Sequence, residues 1–383
     1  MRYDTYGLFR IMVLKTLSIL NYRNIEQAEL TLSPKLNCFV GRNGVGKTNL
    51  LDVVYYLSFC RSALGQTNQQ VLRHGEDWMV AKGVYDTPEG EEMTISCGLK
   101  AGRRKSFKRN GKEYQKLSEH IGLIPLVMLC PQDGELILGG GDVRRKFMDL
   151  VISQYAPEYL HSLIRYNQAL QQRNTLLKIE GAIDDALLSA YDEQMAVAGQ
   201  LIYDHRRRFV ADFVPMFSEV YAALGNDDEQ VSLAYRSHCH DGDLGEMLRS
   251  HHEKDHIVGY TLKGVHRDDL EMQLGGFPLR YEGSQGQTKT FLTALKFAQY
   301  RYLNSMLAKR KVMNGNAPLL LLDDIFDKLD DERVSRIVSL VASEDYGQIF
   351  ITSTSDEVLR KVVEHTGKDC RFFSVEGGCY EVC

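Results

Sequence analysis

Apolar and polar residues alternate along residues 13–20, which predicts a strand. Ala28 to Leu32 reads as a second strand, closed by Ser33-Pro34, and Leu36-Asn37-Cys38-Phe39-Val40 as a short buried one. A glycine-rich turn follows, and then a helical pattern from Asn49 to Phe59. Residues 80–113 alternate again, with Asn110-Gly111 as a hairpin turn. From Asp142 to about Val220 the period lengthens: Val143, Phe147, Leu150 and Val151 share a helical face, as do Leu160, Leu163, Ile164 and Leu170. Residues 225–255 are polar and His-rich, and read as a loose connection. Strand signals return near 258–281. A long helix is predicted over 284–307, a strand over 318–322, a helix over 331–343, a strand over 348–352 and a hairpin at Glu376-Gly377-Gly378.

This order, α/β then helical then α/β, predicts an α/β domain built from residues 12–140 and 256–383 and interrupted by a helical second lobe over 141–255. The first residues, 1–11, read as an N-terminal extension that need not be native, because Met12 opens a better strand; they are expected to be poorly ordered.

Composition narrows the class. Of 383 residues, 46 are Lys or Arg and 51 Asp or Glu, a net charge of −5, with 44% hydrophobic. That excludes a disordered polyelectrolyte and a wholly basic DNA binder, but leaves room for a local basic face. The eight cysteines contain no CxxC pair, so neither a zinc site nor a disulfide framework is signalled. No apolar run reaches the ~18–20 residues of a membrane span. A reducing cytoplasm is the expected location.

The chemistry is concentrated in three places. Gly41-Arg42-Asn43-Gly44-Val45-Gly46-Lys47-Thr48 fits G-x-x-x-x-G-K-[ST], with a strand before and a helix after. The glycines let backbone N–H groups turn around phosphates, Lys47 adds a charge for the β/γ-phosphates, and Thr48 offers a hydroxyl to Mg²⁺. ATP and Mg²⁺ are therefore the expected cofactors. Far downstream, Leu319 to Leu322 is a buried strand ending in Asp323-Asp324. Two carboxylates there need a cation: Asp323 could hold Mg²⁺ through water, and Asp324 could orient or deprotonate the attacking water. Third, Gly283-Ser284-Gln285-Gly286-Gln287 opens the long helix. Ser284, Gly286 and Gln287 form either a second anion site, aimed at the γ-phosphate of a second copy, or an ordinary Ser N-cap.

Taken in that order, these motifs resemble the ABC-type ATPase heads of chromosome and repair proteins, and most closely the RecF family of bacterial recombination mediators. Asn21-Tyr22-Arg23-Asn24-Ile25, Arg61-Ser62, Gln172-Arg173-Asn174 and Gly264-Val265-His266-Arg267-Asp268-Asp269 carry the match further. The resemblance implies a P-loop head with mixed sheets and an ATP-induced homodimer on duplex or single-stranded DNA at junctions or gaps. It also implies weak, DNA-dependent ATP hydrolysis as a reset, with RecR and RecO as partners and RecA as the recombinase loaded. It gives Gln132 a role connecting the site to the helical lobe, among the catalytic and metal residues, where a plain Pro-turn residue is the other reading; it gives Ser284 the trans signature role, Asp323 the metal, and Asp324 with Lys47 the catalysis. Two positions depart from the pattern. Ile325 to Asp330 replaces the usual S-E-L-D, and Thr352 stands where a switch His is usual, which argues against fast hydrolysis.

Lys100, Arg103, Arg104, Lys105, Lys108, Arg109 and Lys112 flank the Asn110-Gly111 turn. Arg103, Arg104, Lys105, Lys108 and Arg109 are the candidate contacts to DNA phosphates, on a hairpin that could equally be a solvated charged tip. Arg144-Arg145-Lys146 and His205-Arg206-Arg207-Arg208 are further candidates. A transporter ATPase would lack the helical lobe. A coiled-coil chromosome protein needs far more chain between Thr48 and Ser284. A small-molecule kinase would not need a second copy.

Overall fold

The computed structural model describes residues 12–179, 184–224, 229–309, 317–327, 331–343 and 346–383. The N-terminal extension, and Lys328 to Asp330 of the departing stretch, lie outside them. The described chain forms two compact units: residues up to Asp133 together with Gln299–Cys383, and Gly134–Ala298. The second unit is thus larger than the helical lobe predicted over 141–255, and it includes the Ser284 helix start.

The first unit has two sheets. One is antiparallel and orders Ile25–Thr31, Val13–Tyr22, Trp78–Asp86, Glu92–Lys100, Ser106–Arg109 and Lys112–Glu113. Its strands alternate buried and exposed residues, as a half-buried sheet must. The other orders Cys379–Val382, Cys370–Glu376, Leu36–Val40, Ile349–Ser353, Leu319–Leu322 and Leu126–Leu129. Its strands from Cys370–Glu376 to Leu126–Leu129 all pair in parallel, and the central ones are buried nearly throughout. The helix Lys47–Phe59 packs against strands of both sheets and is buried along nearly its whole length. Gln348, fully buried, ties the sheets together: its amide exchanges 2.8 Å bonds with the backbone of Leu14 and donates to Ser33 O at 2.7 Å.

In the second unit the predicted helical block is three helices, Gly141–Ser153, Pro157–Leu176 and Asp185–Leu224. The 225–255 stretch is not a loose connection. It holds the strand Val231–Arg236 and the helices Leu244–Ser250 and His252–Val258. Val231–Arg236 pairs antiparallel with Asp269–Leu274, so the strand signal near 258–281 is real only over its second half. Two buried arginines organise this unit. Arg173 bonds Asp192 and Asp255 at 2.7 Å each and Thr261 at 2.8 Å. Arg206 bonds Asp268 at 2.7 Å and Asp149 at 2.8 Å.

Candidate nucleotide site

The strand Leu36–Val40 sits between Ile349–Ser353 and Cys370–Glu376 in the parallel sheet, and its exit leads directly into the Gly41–Thr48 loop. Gly44 and Gly46 take φ of 80° and 117°, backbone that side chains resist. Gly46 is also the N-cap of Lys47–Phe59, and no side chain caps it, so the first-turn N–H groups and the positive end of the helix are left for an anion.

The outer side of the loop is held by its neighbours. Val45 O accepts from Asn24 Nδ2 at 3.0 Å and from the Gly378 amide at 2.8 Å, while Gly46 O accepts from Tyr380 Oη at 3.0 Å. A side chain at Gly46 would meet the Asn24 amide within 3.0 Å, and one at Gly41 would meet Val375 O at 2.3 Å. The loop is thus clamped between the Tyr22–Ile25 turn and the C-terminal hairpin, with the Val45 and Gly46 carbonyls engaged outward.

Inside, Lys47 is buried and its ammonium donates to Gly41 O at 2.8 Å and Arg42 O at 3.1 Å. It lies 3.8 Å from Asp324 Oδ1. Thr48 Oγ1 donates to Asp323, at 2.8 Å from Oδ2. Thr352 Oγ1 donates to Asp323 Oδ1 at 2.7 Å and accepts the Asp324 amide at 2.9 Å. Burial pushes the Asp323 carboxyl above the usual carboxylate range; the Thr352 and Thr48 hydroxyls counter this, and the charge of Asp324 adds to it. Asp324 itself adopts φ 46°, and its Oδ1 is buried without a hydrogen-bond partner.

These residues fit a hard divalent cation. The donors are all oxygens, Thr48 and Asp323, and an orphaned carboxylate oxygen stands beside them. Mg²⁺ is typically held by one or two carboxylates together with phosphate oxygens and water rather than by a protein cage. No cluster of three His, Cys, Asp or Glu side chains placed to hold a metal occurs among the described residues.

The other expected site residues are placed differently. Gln132 lies on the Pro131–Gly134 turn, just beyond Leu126–Leu129, the strand that pairs with Leu319–Leu322. It is exposed and takes no part in the bonds that hold Asp323. Ser284 Oγ accepts the Gln287 amide at 3.2 Å, and Gln287 Oε1 accepts the Ser284 amide at 2.9 Å, a reciprocal capping box. Gln287 is further held by Glu229 at 2.9 Å. The N-cap reading of Ser284 is therefore realised, and the residue remains exposed at the helix end.

The basic hairpin forms with Asn110 and Gly111 both at positive φ, the turn that dipeptide favours. Arg103, Arg104, Lys108 and Arg109 are exposed. Lys105 departs from the expected DNA-facing role. Its ammonium donates to the Cys60 carbonyl at the end of the Lys47–Phe59 helix and lies 5.4 Å from the Tyr56 ring centre. Arg144, Arg145 and Arg206 are likewise turned inward, on Asp269, the Asp268 carbonyl and the Asp149–Asp268 pair. Two further residues carry no sequence signal. Asp52, buried on the P-loop helix, accepts from Tyr22, Ser62 and the Ala63 amide, each at 2.7 Å, and so ties the helix to the turn that clamps the loop. His120 bonds Leu57 O at 2.7 Å, and burial lowers it to about 4. Neither sits in a local motif that would mark it.

Residues 13–371 match the family model described as the RecF/RecN/SMC N-terminal domain. The chain is 53% identical over 367 residues to the DNA replication and repair protein RecF of Phocaeicola vulgatus, covering 96% of this chain and 97% of that one. It is 51% identical to the RecF of Bacteroides thetaiotaomicron, covering 96% and 98%. A solved structure of the recombination mediator RecF with ATP superposes with a TM-score of 0.86 at 27% identity, covering 100% of both chains. The Smc head of Pyrococcus furiosus, at 16% identity and a TM-score of 0.57 over 97% of this chain and 96% of that one, shares the fold. No described helix is long and apolar enough to cross a membrane. The chain belongs to the RecF/RecN/SMC family, in its RecF branch.

Proposed function

We propose that the chain is an ATP-dependent DNA-binding protein of recombinational gap repair and replication support, working in the cytoplasm. The observation that carries this reading is the convergence of Lys47, Thr48, Asp323 and Asp324, from distant parts of the sequence, on the uncapped start of one helix. In it the Gly41–Thr48 loop, Arg42, Asn43 and Val45 included, binds the phosphates of ATP through backbone N–H groups and Lys47. Thr48 and Asp323 hold Mg²⁺, which neutralises charge on the phosphates. Asp324 takes the proton of the attacking water. Gln132, on its exposed turn, completes the site only when nucleotide is present. Ser284, Gly286 and Gln287 present a second helix start to the nucleotide of another copy, so that two chains close around two ATP molecules and hold duplex or junction DNA. Slow hydrolysis, DNA-dependent in this reading, then resets the pair. Arg103, Arg104, Lys108 and Arg109 contact DNA phosphates. The relatives' place in the RecFOR pathway supports RecR and RecO as partners, and through them RecA loading.

The test is complementation between two broken chains. Ser284→Arg should bind ATP as a monomer but fail to dimerise, hydrolyse or retain DNA. Lys47→Ala should fail to bind ATP. A mixed dimer carries both lesions in one composite site and neither in the other, so the mixture should regain part of the activity in sedimentation and ATPase assays. A Ser284→Arg chain that dimerises with ATP on its own would refute the trans role.

A further inference from the structure

A buried hydroxyl has to find partners, and what it finds decides what it does. Thr352 is fully buried, and both of its bonds go to the acidic pair. Its strand lies between the strand that feeds the phosphate loop and the strand that ends in those acids. On one side Thr352 is in register with Phe39, two residues before the loop. On the other, the ladder to the acidic strand stops at Leu322 and Ile351, and there the hydroxyl takes over. It accepts the Asp324 amide at 2.9 Å and donates to Asp323 Oδ1 at 2.7 Å.

The two bonds act on different things. The bond to Asp323 fixes the rotation of the carboxylate, whose second oxygen is fixed by Thr48 at 2.8 Å. Thr48 Oγ1 also lies 3.1 Å from Oδ1, so the two hydroxyls together fix the plane of the carboxylate. The bond from the Asp324 amide engages that residue in the left-handed backbone region, at φ 46°, which is uncommon outside glycine. A single side-chain oxygen therefore touches both acids.

We propose that Thr352 is a positioning residue for the acidic pair, orienting Asp323 toward the metal and holding Asp324 toward the nucleotide, rather than a weakened form of a histidine switch that touches phosphate. This rests on the nucleotide reading above. The hydroxyl is already committed to two partners, and the position has no exposed surface through which an imidazole could reach the nucleotide.

Thr352→Val keeps shape and removes both bonds, and Thr352→Ser keeps the hydroxyl. Three readouts separate the roles: binding of a fluorescent ATP analogue without metal, the Mg²⁺ concentration that gives half-maximal tight binding, and single-turnover hydrolysis. For Thr352→Val, metal-free binding should stay near the parent's. The Mg²⁺ midpoint should rise and turnover should fall, each by ~10–100-fold, the loss typical of a removed outer-shell partner. Thr352→Ser should restore both. Thr352→Cys, with a weak S–H donor, should fall between. If the three variants rank by melting temperature instead of by hydroxyl character, the role is structural only and the proposal is overturned. An unchanged Mg²⁺ midpoint and turnover in Thr352→Val overturns it as well. Failure of the parent to bind ATP removes the nucleotide reading and this one with it, whereas a binding parent with an indifferent valine variant removes this one alone.

Discussion

Buried charge occurs in both units, and it is arranged differently in each. In the second unit the two fully buried guanidinium groups among the described residues meet carboxylates at contact distance: Arg173 with Asp192 and Asp255, Arg206 with Asp149 and Asp268, at 2.7–2.8 Å. In the first unit the cation facing Asp324 is Lys47 at 3.8 Å, and its ammonium is already committed to two carbonyls. Asp323 is held by hydroxyls instead. Orphaned polar atoms do not separate the two regions, since Asp268 Oδ1 and Arg173 Nη2 are as unpartnered as Asp324 Oδ1. What separates them is how closely a cation meets the carboxylates: at contact distance in the second unit, at 3.8 Å and shared with two carbonyls in the first. Where it meets them at contact, the cluster is architecture. Where the nearest cation stands back and is shared with two carbonyls, the carboxylates are left open to a further one.

The contrast can be broken at either end. The largest effect belongs to Arg206→Ala, which strands Asp149 and Asp268 inside the second unit. Breaking one partner of a buried pair costs about 3–5 kcal/mol, so urea denaturation should show a marginal or unfolded chain. A loss below ~1 kcal/mol would mean that the carboxylates find water. Next comes Asp324→Asn, with the opposite signature. Stability and ATP binding should hold while turnover drops by ~10²–10⁴, the usual cost of a lost catalytic acid or base, read by single-turnover assay. Undiminished hydrolysis would move the catalytic role to another group.

A smaller effect divides the basic hairpin against itself. Neutralising Arg103, Arg104, Lys108 and Arg109 should reduce the log–log salt slope of duplex binding by about 0.9 per lost phosphate contact. Lys105→Ala should leave that slope alone and lower the melting temperature instead, because its partner is the Cys60 carbonyl. The smallest effect is on pH. Burial lowers His120 and His266 to about 4. Both are neutral when folded and bind protons more readily when unfolded. Their contribution to stability should therefore be complete above about pH 6.5 and decline as pH falls toward 4. His120→Gln should flatten part of that decline in pH-dependent melting curves.

The phosphate loop and the acidic strand are legible in the sequence because each is a continuous run whose chemistry depends on its immediate neighbours. The same adjacency misleads elsewhere. Arg144-Arg145 and the His205-Arg206-Arg207-Arg208 tract look like surface charge because the acceptors that hold their inward members stand far off in the chain; Arg206 and Asp268 are 62 residues apart. Thr352 looks like a defective switch because its partner acids lie on another strand. The clamp on the phosphate loop cannot be read at all, since Tyr380 and Gly46 are separated by 334 positions. Val231–Arg236 escapes notice because a short strand among polar residues carries too little alternation to stand out.

That clamp has a consequence for how the chain is made. The strand that carries the phosphate loop leaves the ribosome long before its neighbours Ile349–Ser353 and Cys370–Glu376, and before the hairpin that holds Val45 and Gly46. At ~5–20 residues per second the loop waits for tens of seconds beside an unfinished sheet. A prematurely terminated chain would then carry the whole phosphate-binding motif and still lack the means to hold it in shape.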